Sequence, residues 1–135
     1  MKVSLNCIFL GTTTISNSFA VSLKEKNNEI EKTLVDYDDV KIVHLKFLIW
    51  NKKKGMLKID DSDTLNLWKV ASDVNLEDII TEEQIKAKGE KLVPIKYVSE
   101  YFLDKTEADD SLIIVQVPTG KCIVINLVNM TWLDF

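Results

Sequence analysis

Two apolar runs, residues 3–10 and 112–117, constrain the fold more than any other feature of this sequence. In the first run Val3, Leu5 and Cys7 alternate with polar residues, and the second run is rich in β-branched side chains. Both patterns are typical of strands. The chain has 135 residues, which is enough for one domain. We therefore expect both runs in one sheet, as its two best-buried strands.

Two interpretations are open for the first run: a strand of a β-hairpin, or the apolar core of a cleaved signal peptide. The small residues Ser18 and Ala20 resemble a signal cleavage site. Ser4 and Asn6, however, interrupt the apolar run, and alternation resumes at residues 19–23 after a polar turn. The pattern therefore favours the hairpin.

One amphipathic helix is predicted over residues 40–54. Lys46 is assigned to its polar face, and His44 to the boundary beside its apolar stripe. The stripe follows helical spacing and combines Ile42 or Val43 with Leu45, Leu48 and Ile49. The helix therefore has one face that can pack against a sheet.

The sequence also predicts how this helix begins and ends. Residues 24–39 are charged and are predicted to form a connecting loop. Asp38 or Asp39 is expected to cap the helix that follows. At the other end, the three lysines at 52–54 suit the helix dipole, and Gly55 is placed to end the helix.

The second half of the chain is predicted to add strands to the same sheet. Residues 64–70 are partly apolar on both faces, which is typical of an interior strand. Residues 75–88 form a polar crossover with a short helical turn, and residues 91–95 form an extended piece that Pro94 confines to a sheet edge. A helical turn at 99–103 precedes the buried strand at 111–118.

The order of these elements predicts an α+β fold, a ubiquitin-like β-grasp in which one main helix packs across a mixed sheet. In this plan the first and last strands lie side by side and parallel at the centre of the sheet. The two apolar runs at residues 3–10 and 112–117 are expected to occupy those two positions.

Composition argues against a nucleic-acid partner and against a membrane span. The net charge is −4, the pI is near 5.0, and all 17 basic residues are lysines. Arginine, which supplies the bidentate fork that reads guanine and phosphate, is missing from the sequence. The sequence contains no apolar stretch near the roughly 20 residues that cross a bilayer.

The residues also predict no catalytic, cofactor-binding or metal-binding site, and therefore no enzyme. The single His44 with Cys7 and Cys122, which lack CxxC spacing, cannot build a zinc site. A disulfide between the two cysteines is one interpretation, and single buried thiols are the favoured one. The acidic turn at 59–63 lacks the glycine and closing glutamate of a calcium loop. P-loop, GxGxxG and HExxH motifs are absent.

Five segments in a fixed order resemble the N-terminal domain of Crinkler-type secreted effectors, in the fungal branch of that family. They read VSLNCIFLG at 3–11, HLKFLIWNKKK at 44–54, LNLWKV at 65–70, GEKLVPI at 89–95 and IIVQVP at 113–118. The resemblance covers about residues 3–118 and implies a ubiquitin-like N-terminal domain followed by a variable effector domain. It implies secretion, entry into host cells and a role in virulence or symbiosis.

The resemblance also implies a delivery motif. In oomycete members the N-terminal domain carries the signature Leu-Phe-Leu-Ala-Lys, which is linked to delivery into host cells. Here Leu65, Leu67 and Lys69 match its first, third and fifth places, whereas Asn66 and Trp68 depart from it.

These positions form the predicted delivery or interaction site: Leu65, Leu67, Trp68 and Lys69. A plain sheet core would also demand Leu65 and Leu67, so we expect Trp68 and Lys69 to be the exposed, interacting pair. The implied partners are host or self proteins. The alternative function is an intracellular ubiquitin-like adaptor that docks through the sheet face near Trp68. Conjugation as a modifier is not expected, because the chain lacks a C-terminal Gly-Gly.

The sequence divides into a ubiquitin-like domain at residues 1–118 and an extra tail at 119–135. The tail has no counterpart in the family, and residues 122–128 within it are apolar and β-prone. It is interpreted as an added edge strand or as an aggregation-prone segment. A third interpretation is translated intron, because codons for Gly120, Lys121 and Cys122 can contain a splice donor.

Overall fold

A mixed five-stranded sheet forms the centre of the protein in the computed structural model, which describes residues 2–12, 17–57, 59 and 61–118. The strands are β1 (Lys2–Phe9), β2 (Phe19–Lys24), β3 (Asn28–Ile30), β4 (Thr33–Val35), β5 (Asn66–Ala71), β6 (Glu90–Lys91) and β7 (Ser111–Gln116). The strand order in the sheet is β2-β1-β7-β5-β6, and β3 and β4 form a separate two-stranded sheet.

Within the described residues four α-helices accompany the sheet, and the first is the longest. They are α1 (Ile42–Lys53), α2 (Glu82–Lys88), α3 (Val98–Tyr101) and α4 (Lys105–Asp109). Short 3₁₀ turns lie at Tyr37–Asp39, Ser62–Thr64 and Leu76–Ile79. The predicted main helix, central strand and edge piece are therefore confirmed, with boundaries shifted by one to four residues.

The sheet has the predicted centre. β1 runs parallel to β7, with Cys7 opposite Ile113, and antiparallel to β2, with Val3 opposite Leu23. The apolar run near the start of the chain is thus a central strand of a hairpin. Together with α1, this arrangement has the form of a β-grasp, as predicted.

Both faces of the sheet are covered, because alternate residues of each central strand face opposite sides. The larger core lies under α1 and contains Leu5, Leu45 and Ile113, each at most 1% exposed. A second apolar cluster, which includes Ile8, Trp68, Val70, Leu112 and Ile114, lies on the opposite face and contacts Ile79 and Ile85 of the crossover. The crossover predicted to be polar therefore contributes two buried side chains to the fold.

The start of α1 differs from the prediction. Asp38 and Asp39 lie in a 3₁₀ turn, and Lys41 occupies the capping position. The backbone N–H of Lys41 donates to Nδ1 of His44 at 3.0 Å, so the imidazole satisfies a donor at the helix start. The prediction of an aspartate cap is therefore wrong, and His44 has a structural role.

Lys46 was assigned to the polar face of α1, but the whole residue is only 4% exposed. The acidic turn around Asp61 and Asp63 folds over this side of the helix. Lys46 Nζ reaches the carbonyl oxygen of Asp63 at 3.5 Å, while Trp50 Nε1 donates to the carbonyl of Ile59 at 3.0 Å. Burial is the first cause that lowers the pKa of Lys46, and the nearby Asp63 opposes it.

The loop predicted at residues 24–39 contains the β3–β4 hairpin. Its turn residues Glu31 and Lys32 both have positive φ, 49° and 70°. Two-residue turns of this kind usually carry Asn-Gly or Asp-Gly. Because Glu-Lys is not a typical turn sequence, the hairpin could not be predicted from the sequence.

Cys7 is a free thiol, fully buried in the larger core. Burial raises its pKa to about 12, against a smaller opposing effect of Lys52. The interpretation as a single buried thiol is confirmed for Cys7. Cys122 and the tail at 119–135 lie outside the described residues, so the predictions for them stay predictions.

Candidate functional site

The predicted delivery segment, residues 65–69, enters the sheet as β5 between β7 and β6. Leu65 and Leu67 are completely buried in the core under α1. The backbone of Leu67 also accepts a hydrogen bond from Leu92 N–H at 2.9 Å. The expectation that both leucines are core residues is confirmed.

Trp68 was expected to be exposed, and this is wrong, since the residue is only 6% exposed. Its ring belongs to the second apolar cluster, which the crossover covers with Ile79 and Ile85. Its Nε1 donates to Oε1 of Gln116 at 3.0 Å, and Lys91 Nζ lies 5.9 Å from the ring centroid. The indole ring is therefore buried among apolar side chains, and its N–H group is hydrogen-bonded.

Lys69 connects the sheet to the two short helices that precede β7. Its Nζ donates to the carbonyl of Tyr101 at 2.5 Å and to Oε1 of Glu107 at 2.6 Å. The ammonium also lies 5.0 Å from the centroid of the Phe102 ring. The side chains of Lys69 and Glu107 are 18% and 42% exposed. Lys69 is thus a mostly buried structural cation at the edge of the core.

A second polar group, the Tyr37 hydroxyl, reaches the same stretch of chain. Tyr37 Oη donates to the carbonyl of Phe102 at 2.5 Å. Burial, followed by the nearby Asp38 and Glu107, raises the pKa of Tyr37 to about 12. Two adjacent carbonyls, at positions 101 and 102, are therefore satisfied by Lys69 and Tyr37.

Exposed apolar side chains that the sequence did not predict lie before and after α3. They belong to Val93, Ile95, Tyr97 and Leu103, which are 39%, 78%, 38% and 73% exposed. The signal in the sequence for the first three is the alternation of apolar side chains at 93, 95 and 97 in a segment that Pro94 keeps out of a regular strand.

The described residues contain no cluster of three or more His, Cys, Asp or Glu side chains that could hold a metal ion. No helix within them is long and apolar enough to cross a membrane. At β5 itself, the ion pair between Lys69 and Glu107 joins the sheet to the helices.

A parallel β1–β7 pair, one main helix and a β5 segment of alternating leucines together define a ubiquitin-like β-grasp domain. Residues 3–116 match the family model described as Crinkler effector protein N-terminal domain. The chain belongs to the Crinkler family and carries its N-terminal domain. Comparisons with curated proteins and with solved structures found no significant match.

Proposed function

We propose that this domain is the non-catalytic N-terminal domain of a secreted Crinkler-type effector, with a role in delivery into host cells and in protein–protein interaction. The family match over residues 3–116 carries this proposal. The poor inventory of catalytic side chains supports it, since the sequence has one histidine, and that histidine caps α1.

The burial of the predicted delivery residues supports an indirect role for them in delivery. Leu65, Leu67 and Trp68 are buried, so a receptor cannot read their side chains while the domain is folded. Lys69 keeps 18% of its side chain exposed and is held by Glu107. We therefore propose that the segment 65–69 serves delivery by building the folded domain.

The alternative function, an intracellular adaptor that docks through the sheet face near Trp68, has less support. That face is covered by the crossover, and Trp68, Ile8 and Ile114 on it are at most 6% exposed. An adaptor of this kind would need to bind through a different surface.

Localisation of the full chain tests the proposal. The chain is fused at its C-terminus to a fluorescent reporter and expressed in the producing organism, and the reporter alone serves as the control. We expect the fusion outside the producer and inside host cells, and the control in the producer alone. Retention of the fusion in the producer's cytosol would support the adaptor.

A further inference from the structure

The outer edge of β2 is the longer of the two edges that the five-stranded sheet leaves without a neighbouring strand in the described part of the chain. β2 pairs with β1 alone, and the opposite edge strand, β6, has only two residues and is soon followed by Pro94. A sheet edge presents backbone N–H and C=O groups to which an extended chain can bond, and proline cannot donate to such a ladder. The β2 edge is therefore the better place for an added strand.

The backbone groups that point outward from β2 belong to Ala20, Ser22 and Lys24. In an antiparallel pair, alternate residues bond to the neighbouring strand and the residues between them face away from it. Lys24 faces away from β1, because its N–H and C=O groups both bond to the side chain of Asn28 at 2.8 Å. Ser22 follows the same alternation, and the described residues provide no partner for its N–H or its C=O group. The edge is therefore open at Ser22, whose side chain is exposed.

The C-terminal end of α1 lies beside the first residues of this edge. Lys52 Nζ donates to the carbonyl of Ala20 at 2.5 Å, and Lys53 Nζ lies 4.6 Å from the centroid of the Phe19 ring. Lys52 is exposed, and because its acceptor is a neutral carbonyl, its charge is not compensated. A carboxylate is a stronger acceptor for an ammonium than a carbonyl is. A carboxylate that binds Lys52 would therefore free the Ala20 carbonyl for an added strand.

The elements that form this end of the edge carry lysines and no acidic side chains. Residues 1–24 and 40–59, which include β1, β2 and α1, contain no Asp or Glu. Within the part of the chain that the structure describes, neither Lys52 nor Lys53 forms an ion pair.

Acidic side chains approach β2 and α1 at other points. On α1, the carbonyl of Asp63 meets Lys46, which lies about 10 Å before Lys53 along the helix axis. Beside β2, the acidic residues follow the end of the strand where Asn28 bonds to Lys24, and they are Glu25, Glu29 and Glu31. The edge therefore has cations at the end where β2 begins and anions beyond the end where it stops.

We propose that the outer edge of β2 binds an extended segment of a partner protein as an added strand, with a carboxylate at the end of that segment beside Lys52 and Lys53. The backbone groups of Ala20 and Ser22 bond to the added strand, and Lys52 moves from the Ala20 carbonyl to the carboxylate. A second copy of this chain fits poorly, because two-fold pairing centred on Ser22 would place Lys52 of one copy beside Lys24 of the other. The proposal deepens the interaction role given above, rests on it, and does not depend on delivery.

A random peptide library displayed on phage and selected on the purified full chain tests this proposal. We expect enriched peptides to combine a β-branched run with Asp or Glu at one end. Ser22→Pro removes an N–H group that faces away from β1 and should weaken their binding by roughly tenfold or more. Ser22→Thr keeps this N–H group, is the matched control and should leave binding unchanged.

Hydrogen exchange of the Ser22 amide, measured by NMR on the unsubstituted chain, tests the same edge without any substitution. We expect rapid exchange in the free chain, because this N–H group has no partner, and slow exchange with an enriched peptide bound. An amide that is already protected in the free chain would show that the edge is occupied, and would overturn the proposal.

Charge is tested separately with Lys52→Met, which should weaken binding of the acidic peptides several-fold and reduce its dependence on salt. The same peptides with amides in place of their carboxylates should bind Lys52→Met at least as well as the unsubstituted chain, because the Ala20 carbonyl is then free. Lys54→Met is the control, since Lys54 lies over the Trp50 ring at 5.8 Å, and it should change neither result.

Enrichment of peptides without carboxylates would overturn the proposal, as would equal binding by the Ser22→Pro chain or the absence of any enriched peptide. Sedimentation that shows a dimer abolished by Ser22→Pro would assign the edge to a second copy instead. Because these measurements use purified chain, they can fail while the delivery role stands.

Discussion

The ammonium of Lys69 lies 2.6 Å from Oε1 of Glu107 and 2.5 Å from the carbonyl oxygen of Tyr101. One side chain of β5 thus holds both α3 and α4, through residues 32 and 38 positions further along the chain. Lys69, the fifth residue of the predicted delivery motif, therefore anchors the segment that leads into β7.

Lys69→Met should lower the free energy of unfolding by about 1–3 kcal/mol, because it leaves the carbonyl of the buried Tyr101 without a donor. Glu107→Gln keeps an acceptor beside Lys69 and removes only a half-exposed ion pair, so it should cost less than about 1 kcal/mol. Urea unfolding of the two variants measures both effects. A larger loss in Glu107→Gln than in Lys69→Met would contradict this account of the junction.

Trp68→Ala should lower the free energy of unfolding by about 3–5 kcal/mol, since it opens a cavity in the second apolar cluster. Trp68→Phe keeps most of the ring and loses the hydrogen bond to Gln116, so its cost should be about 1 kcal/mol. Ile95→Ala, at a residue 78% exposed, is the control and should change stability by less than about 0.5 kcal/mol. Denaturant unfolding in which Trp68→Ala resembles this control would show that the indole is exposed after all.

Tyr37→Phe should lower the free energy of unfolding by about 1–3 kcal/mol at pH 7, because the carbonyl of Phe102 loses its donor. The pKa of Tyr37 is raised from 10.0 to about 12 in the folded chain. Above pH 10 the unfolded tyrosine therefore loses its proton first, and the stability that this group contributes falls as the pH rises towards 12.

The difference between Tyr37→Phe and the unsubstituted chain should accordingly shrink between pH 10 and pH 12. Parallel urea titrations at pH 7, 10 and 11.5 measure it. A difference that stays constant, or grows, over this range would be inconsistent with a buried Tyr37 hydroxyl.

Lys46→Met should raise the free energy of unfolding at pH 7 by about 1 kcal/mol, because it removes a buried ammonium that has only a long contact to Asp63. Burial lowers the pKa of Lys46 below its usual 10.5. As the pH rises towards 10.5, the folded lysine loses its proton before the unfolded one, so the advantage of the methionine should diminish. Lys88→Met, at an exposed residue of α2, is the control in thermal unfolding. A loss of stability in Lys46→Met would mean that the ammonium is well paired.

The sequence predicted those parts of the fold that depend on long, regular patterns. Alternation at residues 3–7 and the β-branched run that became β7 were enough to place both central strands, because each pattern has a single way to bury its apolar side chains. The β3–β4 hairpin was missed because its turn is Glu31-Lys32, whose positive φ angles have no signal in residue type.

The candidate site was predicted less well, because exposure depends on what other segments cover. Nothing local to Trp68 indicates that Ile79 and Ile85 will pack near it. Similarly, nothing next to Lys46 in the sequence indicates that the turn at Asp63 will fold over it. The exposed segment at 93–97 is likewise held by hydrogen bonds to the distant start of α1.

The most direct test of the central claim, that residues 65–69 serve delivery by building the folded domain, compares delivery of three reporter-fused variants. Leu45→Ala, in the core under α1 and outside the segment, should lose about as much stability as Trp68→Ala. We predict that Trp68→Phe reaches host cells as the unsubstituted chain does, and that Trp68→Ala and Leu45→Ala fail alike. A Trp68→Phe chain that folds but is not delivered, or a Leu45→Ala chain that is delivered normally, would contradict the account.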